Sequence, residues 1–329
     1  MFDVITFGSA TCDIFLPFHD LSLSRQKNNS EVEEDGKICF GLGDKIEAGD
    51  WLMHSGGGGT NTACTFARQG LKTAYCGKVG NDYFGELVLR DLEKDNARVG
   101  MVIKDRSKNT ALSLVLSPQG ADRAIIVSPG ACHYLTQEDI NWRKIGKSRW
   151  FYVAPFYKES ADILPRLVEF AKENEIKIAL NPSESQIKER REEIKNILPN
   201  VSVLLLNLEE ALLLAELPEN NERFLAEKIK ALGPGIVVIT KGEAGAIVFD
   251  GDNYYEAAIA PVEVKERTGA GDAFGSGFIA GLLQKDDIKY AIRLAMANSA
   301  GCLKQAGAKN GLLRKGELDS WPTLDIKQS

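Results

Sequence analysis

The residues best suited to chemistry in this sequence stand at Thr268–Asp272, which reads TGAGD and leads into an apolar helical pattern. Glycine is a poor helix former, so a Gly-Ala-Gly turn at a helix start needs another reason. The free N–H groups of a helix N-terminus attract anions, and a missing Cβ lets a phosphate approach the backbone. Asp272 is then either an ordinary helix-start aspartate or a base that takes a proton from an attacking hydroxyl.

A second glycine cluster, Gly56–Gly59, leads into another helical pattern that carries Asn61. Such a loop permits close approach of the backbone to a ligand, and Asn61 can both donate and accept hydrogen bonds. A flexible hinge before the helix is the alternative reading. Other nucleotide motifs fit poorly: Gly269, Gly271 and Gly275 are spaced G-x-G-x-x-x-G, and a Walker-type loop is absent.

Alternating strand and helix patterns must position these two clusters. Runs such as DVITFG, RWFYVAP, IKIALNP, VSVLLLN and GIVVITKG predict strands, and helices are predicted near 161–174, 184–198 and 221–232. The continuous apolar runs VLLL and IVVI indicate strands buried on both faces, as in a parallel α/β sheet. The small side chains of Gly275–Gly281 predict a helix that neighbouring elements can approach closely.

Two regions interrupt this rhythm and read as hairpin strands without helices between them. Together with the residues after strand 1, they predict a small antiparallel sheet with strands at about 12–18, 37–54 and 101–128. The polar, acidic piece 19–36 between them reads as a mobile, solvated loop. We find no linker that divides the chain, so residues 1–329 are predicted to form one domain.

Composition limits the partners and the compartment. The net charge of −6 argues against nucleic acid and against anionic membranes, and no apolar run reaches membrane-spanning length. The first residues show no basic signal segment, and the six cysteines form no C-x-x-C pair. We therefore expect a cytoplasmic protein with free thiols.

Both glycine clusters, together with the segments between them, resemble the ribokinase-like (PfkB) carbohydrate kinase family. GGGGTNTACTFARQG with GKVGNDYFGE resembles the first family signature, and ERTGAGDAFGSGFIAGLL resembles the second. The likeness extends in order over almost the whole chain. It implies a doubly wound α/β core with a small β lid, and an ATP-dependent, magnesium-assisted transfer of phosphate to a sugar or nucleoside.

The resemblance also assigns roles to residues. Asp272 is implied as the catalytic base, and the amides of the turn as the anion hole: Gly269, Ala270 and Gly271, with Asp272 itself. The motif NLEE places Asn207 and Glu210 at magnesium. The nucleotide side is implied at Thr240, Lys241, Gly242, Thr268 and Asn298. The acceptor side is implied at Asp13, Gly57, Gly58 and Asn61.

Departures from the family pattern bear on the cofactors. Many members bind a monovalent cation beside the second signature, which usually begins Asp-Thr-Thr or Asp-Pro-Thr. Here Glu266 keeps a carboxylate, but Arg267 brings a fixed positive charge, which weighs against potassium. Arg267 could instead reach a nucleotide phosphate.

The acceptor is the least readable part of the sequence. We favour a small sugar, and the segments DWLMHSGG and LNPSES keep a nucleoside as the alternative. A non-catalytic sugar or nucleotide sensor is a rival that the retained Asp272, Asn207 and Glu210 oppose. An NAD-dependent oxidoreductase would need a dinucleotide turn after strand 1, which FGSATCD does not supply. Family members often pair through their lids, so a homodimer is expected.

Overall fold

A ten-stranded sheet forms the centre of the computed structural model, which describes residues 1–18, 42–43, 45, 47–118, 124–218, 221–259 and 262–329. The strands of the described residues are β1 (Phe2–Phe7), β2 (Thr11–Phe18), β3 (Leu52–Gly56), β4 (Thr73–Gly80), β5 (Arg98–Asp105), β6 (Ala111–Pro118), β7 (Ala124–Ser128), β8 (Ser148–Val153), β9 (Lys177–Leu180), β10 (Val203–Asn207), β11 (Ile236–Thr240), β12 (Ala246–Phe249), β13 (Tyr254–Ala257) and β14 (Ile326–Gln328).

Seven neighbouring strands of this sheet are parallel, as the strand–helix alternation predicts. The sheet order is β14-β13-β12-β11-β10-β9-β8-β1-β4-β5, and the pairs from β11 to β5 are all parallel. The remaining strands, β12, β13 and β14, each pair antiparallel with the preceding strand, and a short turn joins β12 to β13. The carboxyl ends of the parallel strands therefore share one edge.

Helices cover both faces of the sheet, which confirms the doubly wound α/β fold. The helices are α1 (Gly58–Arg68), α2 (Tyr83–Lys94), α3 (Trp142–Ile145), α4 (Leu164–Glu173), α5 (Glu184–Ile197), α6 (Leu208–Ala215), α7 (Glu222–Lys230), α8 (Ala270–Lys285) and α9 (Ile288–Leu303). On one face of β1, Ile5 and Phe7 pack in a core with residues of α4 to α7. On the other face, Val4 packs in a core with residues of α1, α8 and α9. Within the described ranges, no helix combines the length and apolarity needed to cross a bilayer.

Glycines in α8 let neighbouring elements approach it closely, as predicted. A methyl group built at Gly277 would lie 2.9 Å from the Cα of Ala295, and one at Gly281 would lie 2.4 Å from the Cα of Ala291. Such spacing is too short for any larger side chain. Helices α8 and α9 consequently pack backbone against backbone, which fixes the position of the turn before α8.

The predicted small lid is present as a four-stranded sheet in the order β3-β2-β6-β7, with antiparallel pairs β2–β3 and β6–β7. It differs from the prediction in two details. First, β2 and β6 pair in parallel, because they follow β1 and β5, which leave the same edge of the main sheet in the same direction. Second, residues 101–105 of the predicted lid range 101–128 belong to β5 of the main sheet, where Met101 and Ile103 pack on the core.

Within the described part of the predicted lid range 37–54, a strand begins at Leu52. Residues 37–41, 44 and 46 lie outside the described residues. The loop predicted at 19–36 lies wholly outside them. The predicted strand at 12–18 corresponds to β2.

Candidate active site

The TGAGD turn forms the N-terminus of α8, at the edge where the parallel strands end. Gly269 caps the helix at φ 83°, and a methyl group there would lie 2.4 Å from the Cβ of Ala308. Hydrogen bonding of the helix begins with the N–H of Ala273, which donates to the carbonyl of Gly269 over 2.8 Å. The N–H groups of Gly271 and Asp272 precede that bond, and a Cβ at Gly271 would meet open space. This geometry suits an anion above the turn.

The partly buried carboxylate of Asp272 lies between this turn and helix α1. Its Oδ2 accepts a hydrogen bond of 2.9 Å from the Nδ2 of Asn61. Its Oδ1 lies 3.2 Å from the position that a Cβ on Gly58 would take. Burial raises the pKa of Asp272, while the Asn61 hydrogen bond and the charge of Lys309 act in the opposite direction. A carboxylate with a raised pKa is a better proton acceptor than an exposed one.

The four residues predicted to bind the acceptor converge from two directions. Gly57 caps α1 at φ 94°, and a Cβ there would lie 2.6 Å from the carbonyl oxygen of Ser9. Asp13 on β2 faces the same loop, because a Cβ on Gly56 would overlap its carboxylate. Burial raises the pKa of Asp13, and hydrogen bonds from Ser113 and Thr11 lower it.

Asp13 stands in a polar row across the lid. It pairs with His54 on β3 and with Ser113 on β6.

Asn61 is 4% exposed, and its Oδ1 has no hydrogen-bond partner among the described residues. Buried acceptors are almost always satisfied, so this oxygen can accept a hydrogen bond from a donor such as a ligand hydroxyl.

A cavity of about 250 Å³ beside the turn gathers most of the predicted phosphate and metal residues. It is lined by Asn181, Leu205, Leu206, Asn207, Glu210, Thr240, Gly269, Gly271, Asp272, Phe274 and Gly275. Asn207 and Glu210 cap α6 reciprocally: each side chain accepts from the other's backbone N–H over 2.8 Å. Burial raises the pKa of Glu210 to about 7, and the neighbouring Glu184 and Glu209 act in the same direction.

A second cavity of about 600 Å³ adjoins the first at Thr240, Gly271 and Phe274. Its wall is mostly apolar and includes Ile259, Val262, Val264, Met296, Ala300 and Leu303, and Gly242, Ser299 and Arg267 complete its edge. An apolar slot that opens onto an anion-binding turn has the shape and chemistry that a nucleotide requires, with the base in the slot and the phosphates at the turn.

Two predicted nucleotide residues are placed elsewhere. Asn298 is fully buried, donates to the carbonyl of Ala273 over 2.7 Å and accepts from the N–H of Leu313 over 2.8 Å. Its side chain therefore joins α9 to α8 and to the chain after α9, and it does not line the slot. The ammonium of Lys241 pairs with Glu222 on α7, and Lys241 does not line either cavity. Thr268 lies at the turn, where its hydroxyl donates to Glu266 over 2.7 Å.

Sequence reasoning missed Lys309, whose side chain is 7% exposed and sits behind the lid strand β3. Its ammonium donates to the hydroxyl of Ser55 over 2.8 Å, and that hydroxyl donates to Asp91 over 2.8 Å. A lysine in the polar stretch AGAKNG reads as a solvated side chain, so the sequence carries no signal of its burial.

A larger cavity, of about 1000 Å³, opens at the opposite edge of the sheet, where β1, β5 and β8 begin. Its wall includes Phe2, Arg98 and Lys147 and none of the predicted site residues. It is therefore not part of the candidate active site.

Comparison with known proteins gives matches over most of the chain. The family described as "pfkB family carbohydrate kinase" matches residues 31–315. An uncharacterized sugar kinase of Archaeoglobus fulgidus is 30% identical over 75% of this chain and 98% of its own. The adenosine kinase of Schizosaccharomyces pombe is 27% identical over 80% of this chain and 84% of its own. Among solved structures, a putative ribokinase II from E. coli in complex with ATP and Mg²⁺ has a TM-score of 0.81 at 20% identity, covering 97% of this chain and 98% of its own.

Proposed function

Because the chain belongs to the pfkB family of carbohydrate kinases, we propose that it transfers the γ-phosphate of ATP to a hydroxymethyl group of a small sugar. The observation that carries this proposal is the position of Asp272. Its carboxylate is held by Asn61 of α1 on one side and borders the cavity of about 250 Å³ on the other. An acceptor bound beside the Gly57–Asn61 loop would place its hydroxyl within reach of this base.

In the proposed reaction, Asp272 takes the proton of the acceptor hydroxyl as the oxygen forms its bond to the γ-phosphorus. The bond from that phosphorus to the bridging oxygen of ATP breaks, and ADP leaves with the electron pair. The amides at Gly269–Asp272 stabilise the charge on the moving phosphoryl group. Positioning and charge stabilisation carry most of such a reaction, so few protein groups are needed.

Asn207 and Glu210 are the residues that we propose for magnesium. Their oxygens are the hard donors that Mg²⁺ prefers, and both line the cavity beside the turn. Within the described ranges no cluster of three or more His, Cys, Asp or Glu could hold a metal, so waters and phosphate oxygens would complete the coordination. Magnesium would supply positive charge that offsets the phosphates.

The polar row on the lid supports a sugar acceptor. Asp13, His54 and Ser113 offer hydrogen-bonding groups side by side, which matches a chain or ring of hydroxyls. The adenosine kinase relative makes a nucleoside the second candidate. A nucleoside would place its ribose in the same position and its base against the lid.

An acceptor screen tests the proposed function. The protein is incubated with Mg-ATP and single sugars or nucleosides, and ADP formation is measured with and without potassium. We expect ADP formation with at least one small sugar and, because Arg267 already carries a positive charge beside the turn, without added potassium. Turnover with nucleosides alone would favour the second candidate, and ligand binding without turnover would show a sensor.

Arg267 is expected to contribute to ATP binding. It lines the apolar slot at its entrance and pairs with Glu243 over 2.9 Å, and both side chains are largely exposed. Loss of an exposed charge that reaches a phosphate should raise the KM for ATP by about 3- to 10-fold with little change in kcat. Steady-state kinetics of Arg267→Ala measure this, and Arg90→Ala, at an exposed position of α2, is the control. An unchanged KM would remove Arg267 from the site.

The outer strand of the lid is expected to join two copies of the chain. On β7, the edge strand, Ile125, Ile126 and Val127 are 47%, 56% and 59% exposed. Three consecutive apolar residues exposed on an edge strand are typical of an interface. We expect a dimer by light scattering, and Ile126→Glu should convert it to a monomer, whereas Phe224→Glu on α7 should not. A monomeric wild-type protein at micromolar concentration would contradict this.

A further inference from the structure

The short segment Gly307–Lys309 connects the lid to the phosphate turn. A methyl group at Gly307 would lie 2.8 Å from the ring of His54 on β3. Ala308 fills the space that the missing side chain of Gly269 leaves open. The carbonyl of Lys309 accepts from the guanidinium of Arg68 on α1. Three residues thus touch the lid strand, helix α1 and the anion-binding turn.

Lys309 places a positive charge at the centre of this arrangement. Its ammonium is buried, and no carboxylate in the described ranges lies within ion-pair distance of it. The hydroxyl of Ser55, itself 2% exposed, is its hydrogen-bond partner. A buried ammonium held by one hydroxyl is costly, so it needs negative charge nearby.

That negative charge comes from carboxylates on three different elements. Asp91 on α2 accepts from the Ser55 hydroxyl, and its pKa is lowered in part by Lys309. Burial raises the pKa of Asp13 on the lid and of Asp272 at the turn, and the charge of Lys309 lowers the pKa of each. The geometric link is to Asp91, because one chain of hydrogen bonds joins Lys309, Ser55 of β3 and Asp91 of α2.

We propose that Lys309 is a positioning residue for phosphate transfer, which fastens lid strand β3 to the catalytic turn. This rests on the proposed function. The other titratable groups that sense Asp272 are Tyr152, Tyr157 and Cys302, and burial keeps all three neutral at pH 7. Asn61 is uncharged. The charge of Lys309 also opposes the effect of burial on the pKa of Asp272, as a secondary consequence of this placement.

Two variants separate the fastening from the charge. Ser55→Ala removes the hydrogen bond and leaves the charge, whereas Lys309→Met removes both. Lys309→Arg restores the charge, and Lys289→Met on the exposed face of α9 is the matched control for loss of a lysine. The readouts are amide hydrogen exchange at 52–56, which needs no activity, and kcat as a function of pH.

We expect faster exchange in β3 for Ser55→Ala and Lys309→Met, and wild-type exchange for Lys289→Met. Loss of the positive charge should raise the pKa of Asp272, so the acid limb of kcat should move to higher pH in Lys309→Met alone. Lys309→Arg should return the limb toward the wild-type position.

Wild-type exchange in β3 of Lys309→Met would overturn the fastening, and an unmoved acid limb would overturn the charge effect. If the wild-type protein transfers no phosphate to any acceptor, the proposed function fails and the charge effect fails with it. The exchange measurement still decides the fastening in that case. Failure of the inference and failure of the function are therefore distinguishable.

Discussion

Replacing Asp272 with asparagine is expected to lower kcat by about 10²- to 10⁴-fold, the range that general bases contribute. The carboxamide keeps the shape of the side chain and can still bond Asn61, but it cannot accept the acceptor's proton. The KM for ATP should stay near its wild-type value, because the nucleotide slot lies on the other side of the turn. Single-turnover kinetics measure the loss.

The folded state should tolerate this change. Burial raises the pKa of Asp272, so its ionised form is less favourable in the folded protein than in the unfolded chain. Near pH 7 a neutral amide removes that penalty, and the free energy of unfolding should not fall. Asp286→Asn, at the left-handed C-cap of the same helix, is the matched control and should leave turnover unchanged. Full activity of Asp272→Asn would show that another group is the base.

Gly271→Ala is expected to lower kcat by about 10²- to 10³-fold without destabilising the fold. A methyl group there meets no protein atom within 4 Å, so it would occupy the space above the turn that we assign to the phosphoryl group. Alanine also favours the helix over glycine by about 0.8–1.0 kcal/mol in helix interiors, so the free energy of unfolding should be unchanged or higher.

Gly269→Ala is the comparison that separates stability from catalysis at the turn. Its φ of 83° and the 2.4 Å approach of Ala308 make an alanine there both strained and crowded, so this variant should lose stability. In Gly269→Ala, both the thermal stability and kcat should therefore fall. In Gly271→Ala, only kcat should fall. Normal turnover in Gly271→Ala would mean that the phosphate does not pass above this residue.

The sequence predicted those features for which one short segment contains both the residue pattern and the residues that form the element or the site. The apolar runs that become β8 to β11, the helix-start glycines and the proton-acceptor candidate Asp272 all lie within such segments. Local spacing determines strand burial and helix capping, so these features need no knowledge of distant contacts. The close approach of neighbouring elements to helix α8 was predicted for the same reason.

Features that depend on distant parts of the chain could not be predicted. Asn298 reads as a polar residue that could face a ligand, but its amide bonds α8 and the backbone of Leu313. Lys309 reads as solvated, yet it contacts a strand more than 250 positions away. The parallel pairing of β2 with β6 likewise follows from where β1 and β5 leave the main sheet, which spacing along the chain does not reveal.

The most direct test of the account is a crystal structure with Mg²⁺, a non-hydrolysable ATP analogue and an acceptor found in the screen. We expect a γ-phosphate oxygen at about 3 Å from the backbone nitrogens of Gly271 and Asp272, and the acceptor hydroxyl hydrogen-bonded to the Asp272 carboxylate. The base of the analogue should lie in the slot beside Phe274 and Met296. A triphosphate bound away from the N-terminus of α8 would contradict the proposed mechanism.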